Sequence, residues 1–339
     1  MNKGRDIGFD MVKLITIFLV IVGHIIPFIG INWYDYFGVE KFIYSFHMPL
    51  FIIISGYFCA RSITSSFGEM VRKKTKQLIL PALTCTFIIC LWELVIGFPQ
   101  QFSFRDEIIG NSWFLKTLFI LYLLGWLMKH IPIKEEIFAI ISIIILFCIP
   151  HAYSLQINYQ YPYFLMGYFL NKNKYACIIK PSGFYKLILP TVYIILFYIS
   201  YNFYDEKKGV PITISNLINY PYNIFIRYLV AISGSFFVIT TTGIICNIYK
   251  NTDKLKKIAE YGKYTLGIYV VQTFFITLFE RYNTITINYG FAFYSIALIL
   301  SLLLLFLCIL IIKKFSKNKI LDLIFFGGAY NQYNNKKLQ

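Results

Sequence analysis

Apolar stretches long enough to cross a lipid bilayer recur along the whole chain, with only short polar segments between them. A hydrocarbon core about 30 Å thick takes about 20 apolar residues as a helix. No water is present there to satisfy an open backbone, so each such stretch must be helical. Barrel strands would be about half as long and would alternate in polarity. The pattern predicts spans at 9–30, 42–60, 78–97, 113–130, 135–150, 157–171, 187–204, 221–248, 264–280 and 291–312. The fifth and sixth are short, and Pro150 and Pro162 bound or kink them. Charged residues make up 14% of the 339 positions, against about 25% in a soluble domain. The expectation is an all-α integral membrane protein, a bundle of about ten transmembrane helices. No soluble domain, linker or internal repeat interrupts it. Residues 1–312 form the transmembrane domain and 313–339 a basic cytoplasmic tail.

Orientation follows from the distribution of Lys and Arg. Of the 32, 24 lie in the amino-terminal segment, the loops 61–77, 129–136, 172–186 and 249–263, and the tail. The opposite loops hold five: Lys41, Arg105, Lys207, Lys208 and Arg281. Lys13, Lys116 and Arg227 fall inside spans. The positive-inside rule then predicts a multi-pass protein with both termini in the cytoplasm, as an even helix count requires. The same rule accounts for the net charge of +16. In a soluble protein that charge would point to nucleic acid, which is not expected as a partner here. The first apolar run has a charged interior and no small-residue cleavage site, so it reads as a retained helix and not a signal peptide. The seven cysteines show no CxxC or paired metal spacing, so they read as spectators, and no metal is expected.

Ionisable residues are costly in hydrocarbon, about 2.5–3.5 kcal/mol for a central Lys or Asp, so those present need a reason. The first span carries Asp10, Lys13 and His24. Lys13 and His24 share one helix face, about 16 Å apart along the axis. With Ile17 and Val20 between them they make a stripe with polar ends, the pattern of a catalytic tunnel. The predicted orientation puts Asp10 and Lys13 in the cytoplasmic half. His24, His47, Glu93, Lys116 and Arg227 fall in the other half. Two polar zones on one helix suggest that something is received on one side and used on the other.

His24 reads as a general base, because a buried neutral imidazole can take a hydroxyl proton, or as a hydrogen-bond partner between helices. Lys13 and Asp10 pair with each other, or Lys13 meets a phosphate-bearing cosubstrate with Arg5 assisting at the membrane edge. In Phe46-His47-Met48-Pro49-Leu50-Phe51, Pro49 is expected in the first helical turn and His47 near the outer entrance. Ser55-Gly56 would let another backbone approach closely. The run Arg72-Lys73-Lys74-Thr75-Lys76 reads as a loop that contacts lipid head groups or the phosphates of a nucleotide-like cofactor. Trp113, at the interface, suits stacking on a sugar, and Lys116 follows it on the same helix. Glu93 and Arg227 pair, or one of them binds ligand.

Taken in order, these segments resemble the acyltransferase 3 family of bacterial membrane O-acyltransferases, within it the fucose 4-O-acetylase-like sugar acetyltransferases. The matching pieces are Arg5…Asp10…Lys13…Gly23-His24, then Phe46-His47-Met48-Pro49-Leu50-Phe51…Ser55-Gly56-Tyr57. The basic run ending in Pro81, Trp113-Phe114-Leu115 and Tyr264-Thr-Leu-Gly-Ile268-Tyr269 follow. The resemblance implies a ten-helix enzyme of the bacterial inner membrane. It would take an acyl group, usually acetyl from acetyl-CoA, and pass it to a hydroxyl of a sugar or cell-surface polysaccharide. It implies a catalytic His24, His47 at the acceptor or active-site wall, and Arg72 near the coenzyme. The reading of the residues themselves adds Lys13, Asp10 and Arg5 on the donor side. It adds Ser55, Trp113, Lys116, Glu93 and Arg227 at the acceptor or the wall. Relatives often carry His where this chain has Gln272, which can hydrogen-bond but cannot titrate. The rival reading is an exporter or flippase of a polysaccharide or its precursor, although no inverted repeat is visible.

Overall fold

The computed structural model describes residues 6–30, 38–96, 104–149, 155–173, 181–205, 210–249, 252–282, 287 and 290–330. Long helices occupy each position that the hydropathy pattern marks. They are α1 (Ile7–Ile29), α2 (Val39–Tyr57), α3 (Phe67–Ile96), α4 (Trp113–His130) and α5 (Glu135–Cys148). After them come α6 (Ile157–Lys172), α7 (Tyr185–Phe203), α8 (Pro221–Ile248), α9 (Thr265–Tyr282) and α10 (Phe291–Phe315). A shorter α11 (Lys319–Phe326) follows. Among the described residues, five of these (α1, α3, α7, α8 and α10) are long and apolar enough to cross a membrane by length and composition.

α1 is the hub, packed against α2, α8, α9 and α10. It starts cleanly because the Asp6 carboxylate accepts from the Gly8 and Phe9 N–H groups, at 3.0 and 3.4 Å. At its other end the Ile287 N–H donates to the Ile29 carbonyl at 2.8 Å, tying α1 to the segment before α10. Peripheral helices turn large apolar side chains outward, such as Ile140 and Ile144 on α5, Leu187 and Tyr198 on α7, and Leu303 and Phe306 on α10. That belt is what a lipid-facing surface requires. Hydroxyls inside the apolar helices are satisfied locally. Thr16, Ser233, Thr240 and Ser301 each donate to the carbonyl four residues back, at 2.6 or 2.7 Å.

A very close backbone contact joins α2 to α6. A Cβ on Gly56 would stand 2.0 Å from the Phe164 carbonyl oxygen, and one on Gly167 2.0 Å from that of Ile53. Only glycine allows that approach, which gives Ser55-Gly56 the packing role expected of it.

Two local expectations need correction. The basic run is not a loop: Ser66 caps a helix at Phe67 by accepting from the Glu69 N–H, and the chain stays helical through a π turn at Thr75–Ile79 into Leu80. Pro49 does not sit in a first turn either, since α2 begins ten residues earlier at Val39. A proline in mid-helix is tolerable in such a protein because neighbouring helices and side chains satisfy the backbone groups it frees. His47 is therefore buried in the middle of α2 and not placed at an entrance.

Candidate active site

The end of the bundle where α1 begins encloses a cavity of about 1370 Å³. Asp10 and Lys13 line it from α1 and Arg72 from α3, three residues read toward the donor side, and Ser55, read toward the acceptor or the wall, lines it from α2. Arg5 lies outside the described residues. The cavity is strongly basic: Lys13, Arg61, Arg72, Lys73, Lys76 and Lys263 face three carboxylates, Asp6, Asp10 and Glu69. Lys13 does meet Asp10, at 3.7 Å one helical turn away, and its ammonium stands 5.1 Å from the Phe58 ring centre. Lys74 turns away from the cavity and stands 3.5 Å over the Tyr122 ring. Across from Asp10 a Cβ on Gly262 would be 2.0 Å from the Asp10 carbonyl oxygen, so this glycine brings the approach to α9 directly against α1.

The inner end of the cavity is closed by rings. Phe51, Phe114 and Tyr269 come from α2, α4 and α9, with centroids 5.8 Å apart for Phe51–Phe114 and 5.4 Å for Phe114–Tyr269. All three line the cavity and are buried, and Ile17 of α1 joins them. His24 lies seven residues beyond Ile17, about 10 Å farther along α1. It is not on the cavity wall.

Beyond that floor stands a second cluster. Gly23 admits α2 closely, since a Cβ there would meet the Tyr44 ring at 3.0 Å and Ile43 at 3.2 Å. Tyr44 donates its hydroxyl proton to the Gly23 carbonyl at 3.0 Å, and its oxygen is 3.4 Å from His24 Nδ1. A hydroxyl has one proton, and a carbonyl can only accept. His24 Nδ1 is therefore assigned the N–H, which leaves Nε2 with the lone pair. His47 Nδ1 is 2.8 Å from the Ile43 carbonyl, so it too carries its proton on Nδ1. The Tyr44 ring lies between the two imidazoles, 6.1 Å from His24 and 5.2 Å from His47. Half-buried His24 and buried His47 thus form one far-side cluster around a tyrosine that the sequence reading did not single out.

The remaining candidates disperse. Lys116 donates to the carbonyls of Ile108, Ile109 and Asn111, which closes the carboxyl end of the short helix Phe104–Gly110. Trp113 is half-buried at the start of α4 with its ring against Phe114. Arg227 does not meet Glu93. Its guanidinium lies 4.0 Å from the Tyr159 ring centre and donates to the Val210 carbonyl at 3.1 Å. Glu93 is wholly buried in α3. Gln272, one turn past Tyr269, is buried, and its side-chain oxygen finds no hydrogen-bond partner among the described residues. Among the described residues no group of three or more His, Cys, Asp or Glu could hold a metal ion. Cys59, Cys85, Cys246 and Cys308 are buried, Cys90 is half-buried and Cys148 is exposed.

A family model described as an acyltransferase domain matches residues 6–312. Two curated relatives are both called nodulation protein NolL. That of Mesorhizobium japonicum is 34% identical over 181 residues, covering 49% of this chain and 48% of its own length. That of Sinorhizobium fredii is 33% identical over 178 residues, covering 49% of each. The chain therefore spans about half the length of the curated relatives it matches. No solved structure gives a significant match.

Proposed function

The chain belongs to the acyltransferase 3 family, and on that premise we propose that it is a membrane O-acyltransferase that moves acetyl from acetyl-CoA to a hydroxyl of a sugar or cell-surface polysaccharide. The observation that carries the reading is the arrangement along α1: a wide basic cavity at one end, and His24 farther along the same helix with its Nδ1 beside the Tyr44 hydroxyl. Six cations around a cavity of this size suit the phosphates of a coenzyme A, which they would hold by charge-assisted contacts. The acyl arm then points toward Phe51, Phe114 and Tyr269.

In the proposed reaction those rings swing aside and the thioester meets the acceptor at His24. The Nε2 atom takes the proton of the acceptor hydroxyl as its oxygen bonds to the thioester carbonyl. The tetrahedral adduct collapses, the C–S bond breaks, and the leaving sulfur recovers the proton from His24. The products are the ester and free coenzyme A. His47 and Tyr44 position the imidazole, and Gln272 supplies a buried amide along the route. The closed floor keeps water from the thioester until an acceptor is present. The proposed setting is the bacterial inner membrane, spanned ten times, with the basic cavity open to the cytoplasm, the side the Lys and Arg distribution favours.

The test supplies radiolabelled acetyl-CoA and host glycan to membranes that contain wild type or His24→Ala at equal protein levels. Label in glycan with wild type alone is the expected result. Label with both removes His24 from its role. No label with either, from acetyl-CoA or succinyl-CoA, overturns the enzyme and favours export.

A further inference from the structure

The chain after α10 returns to build one wall of the donor cavity. Asn318 caps α11 by accepting from the Ile320 and Leu321 N–H groups, at 2.8 and 3.3 Å. The helix ends on two glycines in the left-handed region, Gly327 at φ 66° and Gly328 at φ 75°. Their N–H groups donate back to the Leu323 and Asp322 carbonyls, both at 2.9 Å. The chain is then pinned by Tyr330. Its N–H lies 3.2 Å from both carboxylate oxygens of Asp322, and its hydroxyl accepts from the Gly267 N–H at 3.0 Å in the first turn of α9. Asp322, Phe326 and Tyr330 are all buried. On the other side, a Cβ at Gly327 would stand 2.2 Å from the Lys76 carbonyl oxygen. The strap thus links the π turn that carries Lys76 to the start of α9, and residues 327–330 face the cavity.

We propose that this strap is a binding element for the phosphate-bearing part of the acyl-CoA donor, supplied from outside residues 6–312 that the family match covers. The proposal rests on the donor reading of the cavity and adds to it where the donor is held. Gly328 lines the cavity, and a Cβ there meets nothing nearer than Leu323 Cδ1 at 3.8 Å. A side chain at this position would therefore extend into space that glycine leaves to the ligand. Beyond the positive φ that the turn itself requires, glycine here leaves room for a bound group to approach the backbone. The strap also packs against the Lys76 backbone, and Lys76 and Lys263 both line the cavity.

The experiment titrates CoA, with no acceptor, into the full-length protein purified in detergent. Gly328→Asn and Gly328→Asp are nearly the same shape, and both residues tolerate a positive φ, so both variants keep the turn. Only Asp adds a negative charge beside the bound phosphates. The Asn variant is expected to bind CoA a few-fold more weakly than wild type, and the Asp variant about tenfold more weakly again. The gap between the two should narrow as salt is raised. Equal affinity for all three proteins overturns the strap and leaves the donor cavity standing. A wild type that binds no CoA overturns the donor reading and the strap with it.

Discussion

At its amino-terminal end α1 borders a cavity of about 1370 Å³ with six cations on its walls, several of them exposed, such as Arg72 and Lys76. Three turns farther along, the same helix carries His24 into a packed cluster in which the Tyr44 hydroxyl meets both the Gly23 carbonyl and His24 Nδ1, and His47 meets the Ile43 carbonyl. The two regions differ in how they manage polarity. Charges gather where water or a charged ligand can solvate them, and Lys13 is steadied by Asp10. The two imidazoles lie among packed side chains, where the Tyr44 hydroxyl and the Ile43 carbonyl set their tautomers. One helix can serve both because the ring floor of Phe51, Phe114 and Tyr269 separates them. In the proposed reaction, the donor is held in the wide, charged region and the proton moves in the narrow, packed one.

The largest break in that contrast is His24→Ala. Acyl transfer should fall by about 10²–10⁴-fold, the usual worth of a positioned base. CoA binding, measured by titration, should stay within about twofold because His24 is off the cavity wall. A parallel loss of CoA binding would show that the two regions are one site. Arg72→Glu attacks the other region. It should raise the donor KM about tenfold at low salt and less at high salt, with kcat little changed. Phe114→Ala removes the partition: hydrolysis of acetyl-CoA without acceptor should rise severalfold, up to about tenfold, while transfer to glycan drops. Unchanged hydrolysis would mean the floor does not guard the thioester. Tyr44→Phe is the gentlest. It deletes the hydroxyl beside His24 Nδ1 and should cost about three- to tenfold in kcat, the worth of one hydrogen bond, with donor KM constant.

Much of this was legible in the chain itself. The runs at 113–130 and 221–248 mark α4 and α8 to the residue, because a helix in an apolar setting starts and stops where polarity does. The face shared by Asp10 and Lys13 follows from helical spacing, and the pair duly forms. Ser55-Gly56 announced a close backbone contact without saying which helix would make it. The start of α3 was misjudged because its first turns are charged and amphipathic, and hydropathy is blind to a helix that lies at a water boundary. Pro49 misled because local propensity was overridden by packing around α2. Lys116 and Arg227 drew attention because charge inside a span needs a reason; Lys116 meets backbone carbonyls, and Arg227 meets a carbonyl and a tyrosine ring. Tyr44 and Tyr330 were missed because nothing in their neighbouring residues shows that one meets His24 and the other the first turn of α9.

By itself, then, the amino-acid order determined that the chain is helical and apolar, where most helices lie, and that α1 carries Lys13 and His24 on one face. These are short-range consequences of hydropathy and of the helical repeat, and need no knowledge of neighbours. Only the tertiary structure decided that Arg72, Lys263 and the Gly327–Tyr330 strap share one cavity with Lys13. It alone set Tyr44 beside His24 and closed the cavity with rings from three helices. Those relations join residues up to some 300 positions apart, and they arise from which helix faces pack together, which no local pattern encodes.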